Sequence, residues 1–455
     1  MFKKILVANR GEIALRVIRA CKELNILTVA VYSDVDDLCL HTKFADEAIC
    51  IGPGDSSKSY LNIPAIISAA ELTNADAIHP GYGFLSENAQ FSDICSNNNL
   101  TFIGPSADII NIMGNKSQAK ETMKSFGVPV IPGSHGDLES VEDGLEIADE
   151  IGYPIIIKAS SGGGGRGMRV VHSKDEFEVS YSTATSEAKI SFNDSNVYLE
   201  KYFISPKHIE IQIIADKNGN VYSLLDRECS VQRRHQKILE ESPSPSISDE
   251  IRKEMSDISV KAAKDVGYIG VGTIEYIYDT ETNKFYFMEM NTRIQVEHPV
   301  TEMILNYDIV KNQILCHAGL TLPDWLENIK PRGHSIECRI NAENPSNNFM
   351  PSPGTVSSLH LPGGNGVRVD THIYADYTIP SNYDSMIAKI IVHASSRNES
   401  IKKICSVLDE CVIEGIDTTI SFQKEVLKSE EFLAGSYTTN FLNTFEYKEN
   451  SNEHG

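Results

Sequence analysis

The sequence predicts an α/β protein that opens on a doubly wound sheet and carries a glycine-rich insert. Three observations predict it. The first is an alternation at the start of the chain. Lys4 to Ala8 is a short apolar run, Glu12 to Leu24 is amphipathic at helical spacing, and Leu27 to Tyr32 is a second strand-like run, which together make the βαβ start of a parallel sheet. The second is the stretch Lys158-Ala159-Ser160-Ser161, then Gly162 to Gly165, Arg166 and Gly167, set between the β-branched Ile155 to Ile157 and Met168 to Val171. The third is a pair of alternating segments, 272–278 and 284–290, joined by the hairpin-sized Asp279 to Asn283.

The opening βαβ does not carry a dinucleotide. Its first turn reads ANRGEIA rather than G-x-G-x-x-G, so no pyrophosphate fingerprint follows the first strand. Further on, His79-Pro80-Gly81-Tyr82-Gly83-Phe84 follows an apolar run ending at Ile78. A tight loop there, at the carboxyl end of a strand, is either a plain turn or a ligand loop. Gly127 to Gly133, with Pro129 and Pro132, reads as a hinge and a candidate domain boundary. From there to about Tyr202 runs a βαβ-like insert, with a helix through Asp175 to Lys189 and a strand from Val197 to Glu200.

Composition narrows the partners. A chain of 455 residues with 41% hydrophobic and 23% charged residues can bury a sizeable core. Its formal net charge of −22 would repel polyanions, so neither nucleic acid nor a membrane surface is an expected partner. A protein this acidic that binds phosphates must gather its cations locally. The first apolar run is too short for a signal peptide, and no stretch approaches a membrane span. The nine cysteines are scattered without a C-x-x-C pair, the usage of a reducing cytoplasm.

The local basic cluster is Gln232-Arg233-Arg234-His235-Gln236-Lys237, followed at once by Glu240 and Glu241; it reads as a focused anion site. A glycine loop joining two strands can cover a triphosphate with unobstructed N–H groups and open as a lid, or it is a linker. Lys158 leaves the strand just before it, within reach of a phosphate. The strand Val197 to Phe203 is placed to receive an adenine. His208, Glu210 and Gln212 share one strand face by alternation, either solvated or facing a site.

The acidic pair is the strongest local signal. In one register of the hairpin, Glu275 and Glu289 stand opposite each other, where two carboxylates repel. Mg²⁺ resolves the repulsion, since it is held by one or two carboxylates with nucleotide phosphates. Asn291 is a natural third oxygen. Just downstream, Arg293 offers a fork for a planar oxyanion, Gln295 an amide donor and Glu297 a general base. Arg339 lies on a later strand, sharing its face with Glu337 and Asn341.

Taken together, ANRGEIALRVIRAC, HPGYGFLSEN, KASSGGGGRGMRVV, QRRHQK, EMNTRIQVEHPVTE and ECRINAE make the chain similar, over essentially its whole length, to the biotin carboxylases. The resemblance implies an ATP-grasp fold with an N-terminal Rossmann-like (pre-ATP-grasp) domain over 1–113 and a connecting helical segment over 114–130. A mobile glycine-rich lid follows over 131–202, then the ATP-grasp core with a C-terminal mixed α+β domain over 203–447, and a flexible tail over 448–455. It implies that ATP phosphorylates bicarbonate to carboxyphosphate and that biotin on a separate protein captures the CO₂.

By position, Lys116, Lys158, His208 and Lys237 would hold phosphates with Gly163, Gly164 and Gly165, and Gln232 and His235 would join the nucleotide site. Glu200, Lys201 and Phe203 would flank the adenine. Glu275 and Glu289 would bind Mg²⁺ or Mn²⁺, with Asn291 nearby. Arg293, Gln295, the Val296 amide and Lys237 would hold bicarbonate, and Glu297 would deprotonate it. Arg339 would stabilise the biotin enolate, and Tyr82 would line the biotin pocket. Arg19, Glu23 and Arg368 match a homodimer interface pattern, with Asn365 where some members have an aromatic. No Ala-Met-Lys-Met acceptor occurs, so biotin is expected in trans, on a biotin carboxyl carrier protein, with carboxyltransferase subunits completing an acetyl-CoA carboxylase.

Overall fold

The computed structural model describes residues 1–160, 168–192 and 194–447. The lid glycines Gly163, Gly164 and Gly165 and the tail 448–455 lie outside the described residues. The chain divides into two compact units. One holds Met1–Ala119, Lys207–Tyr276 and the described residues from Glu289 onward; the other holds Lys120–Pro206 and Ile277–Met288.

The first unit opens on a parallel sheet of five strands: β1 (Lys4–Val7), β2 (Leu27–Ser33), β3 (Glu47–Gly52), β4 (Ala77–His79) and β5 (Thr101–Phe102). Their order is β3-β2-β1-β4-β5, so the chain winds outward from β1 in both directions. The inner strands β1, β2 and β4 are short and largely buried, as strands of a parallel sheet covered on both faces are. Helix α1 (Gly11–Glu23) connects β1 to β2. Its Ile13, Ala14, Val17 and Ile18 pack with Ile304, Ile309 and Val310 in one core, and buried Arg16 reaches Glu302 at 2.9 Å and Asp308 at 2.6 Å.

A second sheet has eight strands. They are β9 (Lys207–Ala215), β10 (Val221–Arg233), β11 (Gln236–Ser242), β12 (Gly270–Asp279), β13 (Lys284–Asn291), β14 (His334–Asn341), β15 (Val367–Thr371) and β16 (Met386–Ala394). The order is β13-β12-β9-β10-β11-β14-β16-β15, and from β9 to β15 neighbours are antiparallel. All nine residues of β9 are buried, so the polar face of His208, Glu210 and Gln212 is an interior one. That settles the alternative left open by the alternation.

In the second unit, β6 (Ile155–Ala159), β7 (Met168–Val171) and β8 (Val197–Lys201) form a sheet in the order β7-β6-β8. Strand β6 is antiparallel to both neighbours. Strands β7 and β8 therefore run parallel with β6 between them, joined by α2 (Phe177–Phe192). The expected βαβ is present as a split one. Ile277–Met288 belongs with this unit because Phe287 N donates to Pro129 O at 2.7 Å. No helix among the described residues is long and apolar enough to cross a membrane, and all nine cysteines are free thiols.

Candidate active site

The β10–β11 hairpin turns on Arg234 and His235, whose φ angles of 51° and 65° are the left-handed pair of a two-residue turn. Gln232 thus pairs with Lys237 across the ladder. The turn divides the basic cluster. Arg233 pairs with Glu343 at 2.8 Å and lies over the Phe349 ring, while Arg234 and His235 are exposed at the tip. Gln232 instead donates to Nδ1 of His208 at 2.9 Å, and Lys237 points inward. The focused anion site expected from six consecutive residues narrows to these two.

Lys237 Nζ stands 2.6 Å from Glu210, 2.8 Å from Glu275 and 2.7 Å from Glu297. Burial alone would lower its pKa, but the three carboxylates outweigh it and hold the ammonium well above the ordinary lysine range. Glu275 is surrounded by donors: Lys237, Asn291 Nδ2 at 2.8 Å and Gln295 Nε2 at 2.7 Å, with His208 Nε2 at 3.0 Å. Against the desolvation cost, Lys237 and His208 hold it below the usual carboxylate range. Glu289 goes the other way, pushed up by burial and then by the charge of Glu275, with Lys116 and Lys237 in partial opposition. The charge of Glu275 therefore reaches Glu289, and Glu289 is the less compensated of the two carboxylates. The oxygen of Asn291 accepts from Arg293 Nη2 at 2.8 Å, so Asn291 bridges the pair to the guanidinium.

The segment after β13 supplies the remaining groups. Arg293 Nε donates to Glu87 Oε2 at 2.8 Å, and the other Glu87 oxygen takes the Thr292 N–H at 3.0 Å. Glu297 is buried between Lys237 and Arg339 Nη2, the latter 3.0 Å away. Burial would raise its pKa, but Lys237, Arg339 and Arg227 hold it well below the ordinary carboxylate range. It stays ionised. His298 Nδ1 and Gln295 O are 2.7 Å apart where helix α3 (His298–Leu305) begins, and this anchors the loop. Arg339 also ion-pairs with buried Glu240. Burial raises Glu240, and the opposing pulls of Arg339 and Glu297 leave it at about 7.

Tyr82 donates its hydroxyl to Glu12 in the first turn of α1. The loop that carries it is stitched to the first βα turn by Asn9, whose amide donates to Pro80 O and Tyr82 O, each at 2.7 Å. Gly81 is required there: its φ is +63°, and a Cβ would stand 2.9 Å from that amide nitrogen.

In the second unit, Lys158 Nζ is 2.7 Å and Lys120 Nζ 2.8 Å from the two oxygens of Glu200. These cations hold the buried carboxyl down against desolvation. Lys201 Nζ donates to Gly152 O at 3.0 Å and Tyr153 O at 3.1 Å, and the Phe203 ring lies 5.2 Å from that of Tyr286. Lys116, at the exposed start of the helix Lys116–Ser125, belongs to the first unit.

Sequence reasoning missed Arg227. It is fully buried, and its guanidinium donates to Glu210, to Gln212 at 2.7 Å, to Thr301 and Thr273 at 3.1 Å and to Gln295 Oε1 at 2.6 Å. A buried strand face bearing Glu210 and Gln212 needs a cation, but which one supplies it follows only from the β9–β10 register, where Arg227 pairs with Glu210. Glu87, Glu240, Lys389 and Lys120 were also missed as site neighbours. Among the described residues, the tight groups of potential metal ligands are His208, Glu210 and Glu275, and Glu210, Cys229 and Glu297. Lys237 pairs with Glu210 and Glu275 of the first group and with Glu210 and Glu297 of the second.

With this geometry established, comparison with known proteins gives three matching family models. They are the biotin carboxylase N-terminal domain over residues 1–110, the carbamoyl-phosphate synthase L chain ATP-binding domain over 115–325, and the biotin carboxylase C-terminal domain over 337–444. Biotin carboxylase 1 of Bacillus subtilis is 55% identical over 98% of this chain and 99% of its own length. A crystal structure of a biotin carboxylase–β,γ-ATP complex from Campylobacter jejuni is 50% identical, with a TM-score of 0.90 over 97% of this chain and 99% of that one. The biotin carboxylase domain dimer of Hydrogenobacter thermophilus 2-oxoglutarate carboxylase, solved with ADP, magnesium and bicarbonate, is 48% identical, with a TM-score of 0.89 over 99% and 100%. Fold, site and relatives converge, and the chain belongs to the biotin carboxylases, enzymes of the ATP-grasp ligase family.

Proposed function

We propose that this chain carboxylates biotin borne on a separate biotin carboxyl carrier protein, as the first half-reaction of an acetyl-CoA carboxylase. The observation that carries the proposal is the position of Glu297, buried and ionised between Lys237 at 2.7 Å and Arg339 at 3.0 Å. A base held between two cations suits an anionic substrate that must lose a proton before it can react. Bicarbonate, with Arg293, Gln295, the Val296 amide and Lys237 as its proposed holders, gives its proton to Glu297. The freed oxygen then attacks the γ-phosphorus of ATP, the bond from that phosphorus to the β–γ bridging oxygen breaks, ADP leaves, and carboxyphosphate results. Phosphoryl transfer asks chiefly for positioning and charge neutralisation.

Phosphate-holding roles fall to Lys116, His208 and Lys237 in the first unit, and to Lys158 and Gly163 to Gly165 in the insert, with Gln232 and His235 as further proposed members of the nucleotide site. Glu200, Lys201 and Phe203 are the proposed adenine neighbours. Glu275 and Glu289, with Asn291, would hold Mg²⁺ or Mn²⁺, which when bound offsets the charge of the phosphates. Arg339 would stabilise negative charge on the ureido oxygen of biotin, and Tyr82 would wall its pocket.

Assignment to acetyl-CoA carboxylase rests on the family resemblance; the Bacillus relative, 55% identical and matched over 99% of its own length, is named a biotin carboxylase, and the neighbour from 2-oxoglutarate carboxylase stands at 48%. A homodimer and a cytoplasmic location complete the proposal, the first supported by the dimeric neighbour and the second by nine unpaired thiols. The test has two parts. Purified protein with Mg·ATP, bicarbonate and free biotin should hydrolyse ATP in a bicarbonate-dependent, biotin-stimulated manner, and the absence of stimulation in folded protein overturns the proposal. The carrier captured with the native protein should then carboxylate acetyl-CoA rather than pyruvate once its transferase is added.

A further inference from the structure

We propose that Lys389 is a positioning residue that locks the bicarbonate-binding peptide and the wall of the biotin pocket into one geometry; this rests on the function proposed above. Lys389 lies on β16, paired with Arg339 on β14 and with Asp370 on β15. It is 0% exposed. A lysine is almost never fully buried unless paired, and an apolar side chain of the same length would fill the core without the desolvation cost, which is several kcal/mol for a buried ion. What the ammonium contributes is direction.

It has two arms. Nζ donates to the carbonyl oxygen of Val296 at 2.9 Å, and so holds the peptide between Gln295 and Glu297 whose own N–H is proposed for bicarbonate. Nζ also lies 3.1 Å from Glu12 Oε1, the same oxygen that accepts the Tyr82 hydroxyl. Glu12 is itself 4% exposed, and its second oxygen has no hydrogen-bond partner, so its fixed contacts all run through Oε1. Asp370, 4.0 Å away, offsets the remaining charge. One compact ammonium therefore ties a carbonyl next to the base to a hydroxyl in the biotin pocket, through Glu12. A guanidinium would not fit this role as well, since its planar fork suits bidentate partners rather than two separate single acceptors.

The test uses the full chain with Mg·ATP, bicarbonate and free biotin. Lys389→Met keeps length and removes the donor. It should raise KM for bicarbonate and KM for biotin about tenfold each, the loss of a charge-assisted hydrogen bond, while Mg·ADP affinity stays within about two-fold. Glu12→Gln cuts only the second arm. It should raise KM for biotin about five-fold, with KM for bicarbonate changed less than about two-fold. A residue that merely fills the core would move melting temperature and kcat without this split. A folded Lys389→Met protein with both constants unchanged overturns the proposal. Should that variant not fold, Glu12→Gln decides, and an unchanged biotin KM overturns it. A wild-type chain without biotin-stimulated ATP hydrolysis overturns the proposed function instead, so the two failures are told apart.

Discussion

Arg227 and Gln295 are joined end to end, with Arg227 Nη2 donating to Gln295 Oε1 at 2.6 Å, and this bond decides which way the amide faces. With its oxygen taken, Gln295 must turn its NH₂ toward Glu275, where Nε2 is 2.7 Å from the carboxylate. The buried guanidinium thus sets the polarity of a side chain proposed to touch bicarbonate. Arg227→Lys keeps the charge but cannot reach five acceptors in fixed directions. The variant should lose about 2–3 kcal/mol of stability, at about 1 kcal/mol per lost hydrogen bond. Urea unfolding monitored by circular dichroism measures this, with a parallel rise in KM for bicarbonate.

Glu297 is the proposed base, and its removal should be felt in chemistry rather than in nucleotide binding. Glu297→Gln preserves shape and can still accept from Arg339, but it cannot take a proton. Bicarbonate-dependent ATP hydrolysis should fall about 10²–10⁴-fold, with Mg·ADP affinity changed by less than about three-fold. A residual rate within about ten-fold of wild type would assign the base elsewhere.

Glu240 gives stability a pH dependence whose sign follows from its raised pKa. Its carboxyl is buried, and the folded protein holds it at about 7, against an ordinary value of 4.5. The contribution of this group is therefore fully present below about pH 4.5 and is lost as pH rises through about 7. In that window the native state keeps a proton that the unfolded chain has released, so stability falls by up to about 1.4 kcal/mol per pH unit. Glu241 and Glu302, each lowered to about 2, act in the opposite sense at more acid pH. Glu240→Gln should flatten the wild-type slope between pH 4.5 and 7 in denaturant titrations, and an unchanged slope would remove Glu240 as its source.

What the sequence revealed follows a physical division. The opening strand, α1 and β2 were readable to within a residue or so because their periodicities are local. Glu275, Glu289, Arg293 and Glu297 stand out as candidates because they lie close in sequence, Glu275 on one strand of a hairpin, Glu289 on the next and the other two in the loop after it. Arg227, Glu240, Glu337 and Lys389 carry no such signal. The meaning of each depends on cross-strand pairing, Arg227 with Glu210, Glu240 with Glu337 and Lys389 with Arg339. Register is a property of two strands at once, so spacing along one of them does not reveal it. The cluster from Gln232 to Lys237 misled for a related reason: a two-residue turn at Arg234 and His235 sends its cations to different places.

Glu87 ties the HPGYGFLSEN loop to Arg293, one of the residues proposed to hold bicarbonate. One of its oxygens takes Arg293 Nε and the other takes the Thr292 N–H, so a single carboxylate orients the guanidinium and the backbone beside it. Glu87→Gln retains one acceptor and loses the charge. KM for bicarbonate should rise about five- to ten-fold, consistent with the loss of a hydrogen bond between charged groups, and kcat should change less than KM. Initial rates at varied bicarbonate measure both.

Glu289 should separate stability from function. In the metal-free protein its carboxyl is pushed up by burial and by Glu275, a like-charge repulsion that the fold bears. A divalent cation would convert that repulsion into two attractions. Glu289→Gln removes the repulsion, so the metal-free variant should melt higher than metal-free wild type, by a few degrees if about 1 kcal/mol is recovered. The same variant should bind Mg·ADP about ten-fold more weakly while its affinity for metal-free ADP stays the same, and added Mg²⁺ should raise its melting temperature less than that of wild type. Calorimetry with and without Mg²⁺ reads each quantity. If metal-free Glu289→Gln is no more stable than wild type, the two carboxylates do not repel in the resting protein. If its Mg·ADP affinity is unchanged, the cation is held by other residues.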